Sequence, residues 1–502
     1  MTAVSKAYSD LEQRFREISV LGDVSRVLQW DQAVMMPPGG GGARAEQIAT
    51  IDTLRHGKLT DPAMADLFDA AADTESLDEW QHANLREMRR KWSLARAVPA
   101  DLVSAHSMAC SHCEGAWRVA RAANDFAGIA AGLQHVLDLT REIGEARAEA
   151  LACPVYEALL AAYEPGGSTA EIDRLFDACA GFLPDLIDDV LAHQAASAPP
   201  VPPPGPFPID AQRTLTRRIA ETIGLDFDTA RLDESAHPFS SGVPEDSRIT
   251  VRYNEADFAE GLMAVLHESG HATYERNRPA DWRLQPVGEA RGMVIHESQS
   301  LLVEMQVCRS AEFYRYAAPL LQQAFGGAGD AWEPSNLHRR SLLVRRSFIR
   351  VDADEVTYPA HVILRYRLEQ ALLAGDLSIA ELPGAWNEGF QRLLGVAPPD
   401  DQQGCLQDIH WYSGAWGYFP TYTLGAMAAA QIFDAALKSQ PEMPEAIARG
   451  DFLPLMAWLG THIHRKGSLL STGELLEAAT GASLQAEIFE SHLRRRYLGA
   501  AG

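Results

Sequence analysis

From the start of the chain to about residue 197, apolar residues recur every three or four positions, as in YSDLEQRFREISVLGDVSRVLQW, with Ala, Leu, Glu and Arg common between them. This period predicts one helix after another. Two segments break it. MMPPGGGGARAEQ (35–47) carries two prolines and four glycines and predicts a loop, while APPVPPPGPFP (198–208) has seven prolines in eleven residues and predicts an extended polyproline connection. A period of two is clearest in SRITVRYNE (247–255), where Ile249, Val251 and Tyr253 alternate with polar residues and predict one short strand. A helix follows, with Asn254 placed as its cap and Asp257 as its third helical residue. Helical patterning then runs to the end, except in GCLQDIHWYSGAWGYFPTYTLG (404–425), too rich in glycine and aromatics to be one regular helix. The expected fold is mostly α with one small sheet. An N-terminal helical region (1–208) and a second region (209–502) are expected to form one continuous unit.

Composition narrows the classes. With 502 residues, 46% of them hydrophobic, the chain can bury a large core, which excludes disorder and small disulfide scaffolds. A balance of 44 basic against 68 acidic side chains, net −24, argues against a nucleic-acid or anionic-membrane partner. Six scattered cysteines suit a reducing compartment, and the cytoplasm is the expected location. MTAVSKAYSDLEQRF lacks the apolar segment of a signal peptide, and no run approaches the ~18 apolar residues that span a bilayer. Cys110 and Cys113 form a C-x-x-C without a second pair and are read as structural.

The sharpest chemistry lies in LHESGHATYE. His267 and His271 are four apart, so on a helix both imidazoles face one ion. Glu268, one residue past the first ligand, lies beside the ion as a general base for a water. A metzincin would need Gly at 274 and His at 277, but the chain has Tyr274 and Asn277, so the third ligand must come from a later element. RGMVIHESQSLLVEM offers Glu297, with Glu304 further along the same helical face and His296 as an alternative. Adjacent helical residues point about 100° apart, so His296 and Glu297 do not both bind. Glu297 is the choice. The resulting His2Glu site, with an open position, suits Zn2+ and also accepts Co2+ or Mn2+.

Six motifs in order make the chain resemble the carboxypeptidase Taq family of zinc metallocarboxypeptidases: HPF at His237–Phe239, DSRIT at Asp246–Thr250, HESGH at 267–271, HESQ at His296–Gln299, IRVDAD at Ile349–Asp354 and GCLQDIHW at Gly404–Trp411. In that family the two histidines and the HESQ glutamate bind the metal, in agreement with the choice made from spacing. The resemblance implies a mostly helical fold with a deep cleft, like the angiotensin-converting and neurolysin-like gluzincins. It also implies a cytosolic homodimer that releases single amino acids from peptides with a free C-terminus, with broad specificity. One departure is Leu301 and Leu302, where the family usually carries Arg and an aromatic.

Such hydrolysis needs an oxyanion stabiliser and a carboxylate clamp. Segment 404–425 offers His410, Tyr418 and Tyr422. Related gluzincins use a His and a Tyr about ten residues apart, which favours His410 with Tyr422 and keeps Tyr418 in reserve. A guanidinium recognises a terminal carboxylate by bidentate hydrogen bonds. Arg350 is the first candidate and Arg248 the second, against the alternative that each pairs with Asp246, Asp352 or Asp354. His237 is expected to contact the substrate backbone. Two rival readings are an endopeptidase on the same scaffold and a silent scaffold that keeps its metal for stability.

Overall fold

The computed structural model describes residues 6–72 and 77–499. Within them, twenty α-helices and one three-stranded sheet form the chain. Local chemistry sets many boundaries. Glu79–Ala97 opens on a reciprocal cap, with Asp78 Oδ1 accepting from Gln81 N at 2.9 Å and Gln81 Oε1 from Asp78 N at 3.0 Å. Phe126–Leu151 opens on Asp125, whose carboxylate accepts from Gly128 N at 2.9 Å.

The predicted break at 35–47 is shorter than its composition suggests. Lys6–Val34 is followed by a 3₁₀ turn at Pro38–Gly40, and a helix resumes at Gly41. Glycine costs a helix about 1 kcal/mol per residue, an amount that packing along the first helix offsets. The proline-rich 198–208 is extended, as expected. It is also fastened, because Asn336 accepts from Val201 N and donates to Val201 O, both at 2.8 Å.

The principal core runs from Val98 to Tyr497 and takes in helices from both sides of the proline-rich connection. A smaller cluster, including Tyr8, Leu11, Phe15, Met64, Phe68 and Met88, lies under the N-terminal helices. Trp30, on Lys6–Val34, carries the guanidinium groups of Arg248 and Arg231 at 4.3 and 4.6 Å from its ring centroid. Arg283 joins Asp23 of that helix to Glu245 at 3.2 and 2.9 Å. The first helix is thereby tied to the sheet.

The sheet holds β1 (Ala230–Glu234), β2 (Ser240–Val243) and β3 (Asp246–Val251), with β3 central, parallel to β1 and antiparallel to β2. β3 is the predicted strand. The other two lack a period-two signal and exist because β3 templates them. Ile249 and Val251 are fully buried against Ala220, Val265 and Ala272, which seats the sheet on the back of helix Phe258–Arg276. That helix is capped by Asp257, which accepts from Ala259 N at 2.9 Å. Asn254 instead accepts from Ala256 N in the preceding turn, a correction of three residues to the expected cap. Both residues suit a cap, and only the path of the chain leaving β3 decides between them. Segment 404–425 is a run of turns until helix Pro420–Ser439 begins.

Candidate metal centre and active site

Helix Phe258–Arg276 carries His267, Glu268 and His271, and helix Met293–Leu301 carries Glu297. The two cross at Gly270, where a Cβ would lie 2.5 Å from Gln299 O and 2.6 Å from Ser300 Cα. Only glycine permits this approach. A second close contact fixes Glu297 from behind, since a Cβ on Gly425 would lie 2.9 Å from both Cβ and Cγ of Glu297. The crossing brings donor atoms of His267, His271 and Glu297 within 4.8 Å of one another, the one such His, Cys, Asp or Glu group among the described residues.

The entry to the Glu297 helix is held by buried acids. Glu164 Oε2 accepts from Val294 N at 2.9 Å, and Glu87 Oε1 accepts from Arg291 Nη1 at 2.9 Å. Around the histidines the charge is acidic. Glu304 Oε2 lies 3.0 Å from His267 Nδ1, and its Oε1 accepts from Arg309 at 2.8 Å. This leaves His267 Nε2 to face an ion, with the carboxylate orienting the ring. Burial pushes the Glu268 carboxyl up to about 7, against the charge of His267. Burial also pushes His271 down to about 4, which keeps its imidazole neutral as a ligand must be, and its buried Nδ1 has no hydrogen-bond partner among the described residues. Two imidazoles and a carboxylate, with further acids beside them, are the donor set of a divalent cation. His296 turns away, its Nε2 at 2.9 Å from Glu275 Oε1 and its ring tilted against that of His271, with centroids 4.6 Å apart.

The chain matches known proteins along nearly its whole length. Residues 10–497 fit the family described as carboxypeptidase Taq (M32) metallopeptidase. The chain belongs to that family. A thermostable carboxypeptidase 1 of Thermus thermophilus is 36% identical over 99% of both chains, and a carboxypeptidase 1 of Bacillus subtilis is 31% identical over 98% of this chain and 97% of that one. The solved structure of Trypanosoma cruzi metallocarboxypeptidase 1 is 39% identical, with a TM-score of 0.96 over 98% of this chain and 99% of that one. As a carboxypeptidase Taq protein the chain is a metal-dependent carboxypeptidase, a hydrolase of peptide bonds.

In this carboxypeptidase Taq chain the aromatic segment after residue 404 leads into helix Pro420–Ser439, whose Gly425 backs Glu297. His410 Nε2 lies 3.2 Å from the Tyr422 hydroxyl, and the ring centroids of His410 and Tyr422 are 6.0 and 5.0 Å from that of Tyr418. The structure therefore brings all three together. Burial pushes His410 down to about 4, so it is a neutral ring, and its Nδ1 has no hydrogen-bond partner among the described residues. Arg350 is buried 5.1 Å from the Tyr422 ring centroid. Its partner is Asp408, bonded by Nε at 3.0 Å and Nη2 at 2.9 Å, and not Asp352 or Asp354. Nη1 donates to Tyr358 at 2.9 Å, which leaves one N–H on each Nη. Arg248 is paired with Asp246 at 2.6 Å and stacked on Trp30. His237 is exposed in the turn between β1 and β2, where its carbonyl accepts from Ser235 Oγ at 2.6 Å. The HPF and DSRIT motifs meet through Thr250, whose Oγ1 accepts from Phe239 N at 3.0 Å. Leu301 and Leu302 are buried in the main core, with Leu302 opening a π-helical turn that carries Glu304.

Three supporting residues escaped the sequence reading. Asp408 also binds the fully buried Arg365 at 2.5 Å, and the two guanidinium groups hold its carboxyl far below the usual range against the opposing effect of burial. Glu369, fully buried, accepts from Tyr156 OH at 2.7 Å, Trp411 Nε1 at 2.9 Å and Gly417 N at 3.3 Å. It pins the turns around His410. Asp408 was visible inside GCLQDIHW, whereas Arg365 and Glu369 sit in the apolar run HVILRYRLEQALL, where buried charge was the only signal.

Proposed function

We propose that the chain is a zinc carboxypeptidase in which His267, His271 and Glu297 hold the ion, with Co2+ and Mn2+ as workable substitutes. The bound ion supplies Lewis-acid chemistry that polarises the scissile carbonyl and acidifies a water. Glu268 takes the proton of that water and passes it to the leaving amine, for which a carboxyl raised towards neutrality is suited. Tyr422, in contact with neutral His410, donates to the developing oxyanion, and Tyr418 closes the wall beside them. Arg350 offers its remaining N–H groups to the terminal carboxylate while Asp408 holds it in place. Arg248 and His237, on the sheet and its turn, contact the peptide further out. The substrate is a peptide with a free C-terminus and broad sequence tolerance, and the working form is a cytoplasmic homodimer. No described helix is long and apolar enough to cross a membrane.

The observation that carries this reading is the convergence of three ligand side chains from two crossing helices, with the buried Glu268 beside them. The test is amino-acid release from a blocked dipeptide and from its C-terminal amide, using chelator-stripped enzyme with and without Zn2+. Release from the free acid alone, and only with metal, is expected. Equal cleavage of the amide would remove the carboxylate clamp and move the chain to the endopeptidase reading, and no cleavage with any metal would favour the silent scaffold.

A further inference from the structure

Arg496, in the last turn of helix Ala486–Leu498 near the end of the chain, reaches the backbone of the segment that carries Glu304. Helix Met293–Leu301, which holds Glu297, does not end regularly. It runs on into the π-helical turn Leu302–Val307, closed by Cys308 N donating to Val303 O at 2.9 Å. Such turns are rare, and where a helix stops its last carbonyls have no partner within it. Among the described residues no backbone N–H reaches Met305 O or Gln306 O. Arg496 serves both, with Nη1 donating to Met305 O and Nη2 donating to Gln306 O at 2.9 Å. Its side chain is 11% exposed.

Glu355 fixes the guanidinium in this place. Oε2 of the buried carboxylate accepts from Arg496 Nη1 and from Tyr497 OH, both at 3.0 Å, while Oε1 accepts from Gln306 Nε2 at 2.9 Å and lies 2.9 Å from His492 Nε2. Both N–H groups of Nη1 are thus in use. Docking of the last helix does not account for the carbonyl bonds, because His492 and Tyr497 already fasten that helix to Glu355. What the carbonyl bonds hold is the backbone of the π-helical turn, in which Glu304 immediately precedes Met305. Glu304 Oε2 lies 3.0 Å from His267 Nδ1. A shifted turn would withdraw that carboxylate and leave the imidazole free to rotate.

We propose that Arg496 is a positioning residue for the metal centre, capping the π-helical turn so that Glu304 keeps its bond to His267 and the site its affinity for a divalent cation. The proposal rests on the reading that His267, His271 and Glu297 hold the ion. The carboxylate behind a metal-bound histidine is worth about tenfold to a hundredfold in metal affinity, and Arg496 is expected to command the same amount from one step further back.

The test is the Kd for Zn2+, measured on chelator-stripped full-length protein by competition with a chromogenic chelator. Arg496→Met and Glu304→Ala should each weaken Kd about tenfold to a hundredfold. Because both act through one bond, the double variant should lose no more than about twofold beyond Glu304→Ala alone. Tyr497→Phe, which loosens the same helix without touching the carbonyls, should stay within about twofold of wild type. Arg496→Lys keeps the charge beside Glu355 but loses the fork that spans two carbonyls, so its Kd should fall between those of wild type and Arg496→Met, and it decides the matter if Arg496→Met does not fold. A wild-type Kd in either Arg496 variant would overturn the proposal. So would fully additive losses in the double variant, or a loss in Tyr497→Phe as large as that in Arg496→Met, since either would make the effect one of general loosening. His267→Ala is the control for the metal site itself: an unchanged Kd there would overturn the ligand assignment, whereas a weakened Kd there with normal Arg496 variants would overturn the role of Arg496 alone.

Discussion

At the scale of single residues, the site depends on which atoms are left without partners. Glu268 is buried beside the histidine pair with no cation bonded to its carboxylate among the described residues, whereas Glu87 and Glu355, equally buried, each have arginine partners. A carboxyl kept free of permanent partners and raised towards 7 can both accept and return a proton. Glu268→Gln keeps the size and the metal ligands, so metal content should stay at one ion per chain while kcat falls by about three or more orders of magnitude. Turnover within tenfold of wild type, with metal bound, would take Glu268 out of the mechanism. His267, Glu268 and His271 were legible from their spacing. The companion of His267, Glu304, was visible only as a further acid on the same helix, because its bond to the ring depends on a π-helical turn that no local pattern announces.

At the scale of elements, the segment 404–419 has no regular hydrogen-bond ladder and needs another anchor. Glu369 provides it, through three donors that include Trp411 Nε1 and Gly417 N on either side of the turn. Burial pushes this carboxyl up from 4.5 to about 7, against the lowering effect of its donors. The folded chain therefore keeps a proton that the unfolded chain has released, and stability attributable to Glu369 falls as pH rises from about 4.5 to about 7 and is level above. The window corresponds to a change on the order of 3 kcal/mol. Glu369→Gln cannot titrate, so denaturant unfolding at pH 5 and pH 8 should show a smaller difference in the variant than in wild type. The same pH difference in both would mean that Glu369 carries no such linkage. Elements with a strong period, such as Lys6–Val34 and β3, were legible in advance. β1 and β2 were not, because pairing with β3 creates them.

At the scale of the molecule, the proposed ligands join helices that are separated along the chain, and the acids around them repel one another in the absence of an ion. Metal binding should therefore stabilise the fold as a whole. At a free ion concentration a thousandfold above Kd the gain is about 4 kcal/mol, so chelation should lower the melting temperature and added Zn2+ should restore it. An unchanged melting temperature after the ion is removed would show that the two helices hold their crossing unaided. The sequence by itself determined the helical class, the strand ahead of the HESGH helix, and which residues are proposed as ligands and base, because hydrophobic period and i, i+4 spacing are local properties of a chain. Only the tertiary structure decided that Gly270 lets the Glu297 helix approach and that Asp408 rather than Asp352 or Asp354 holds Arg350. Those facts depend on which distant residues meet once the core closes.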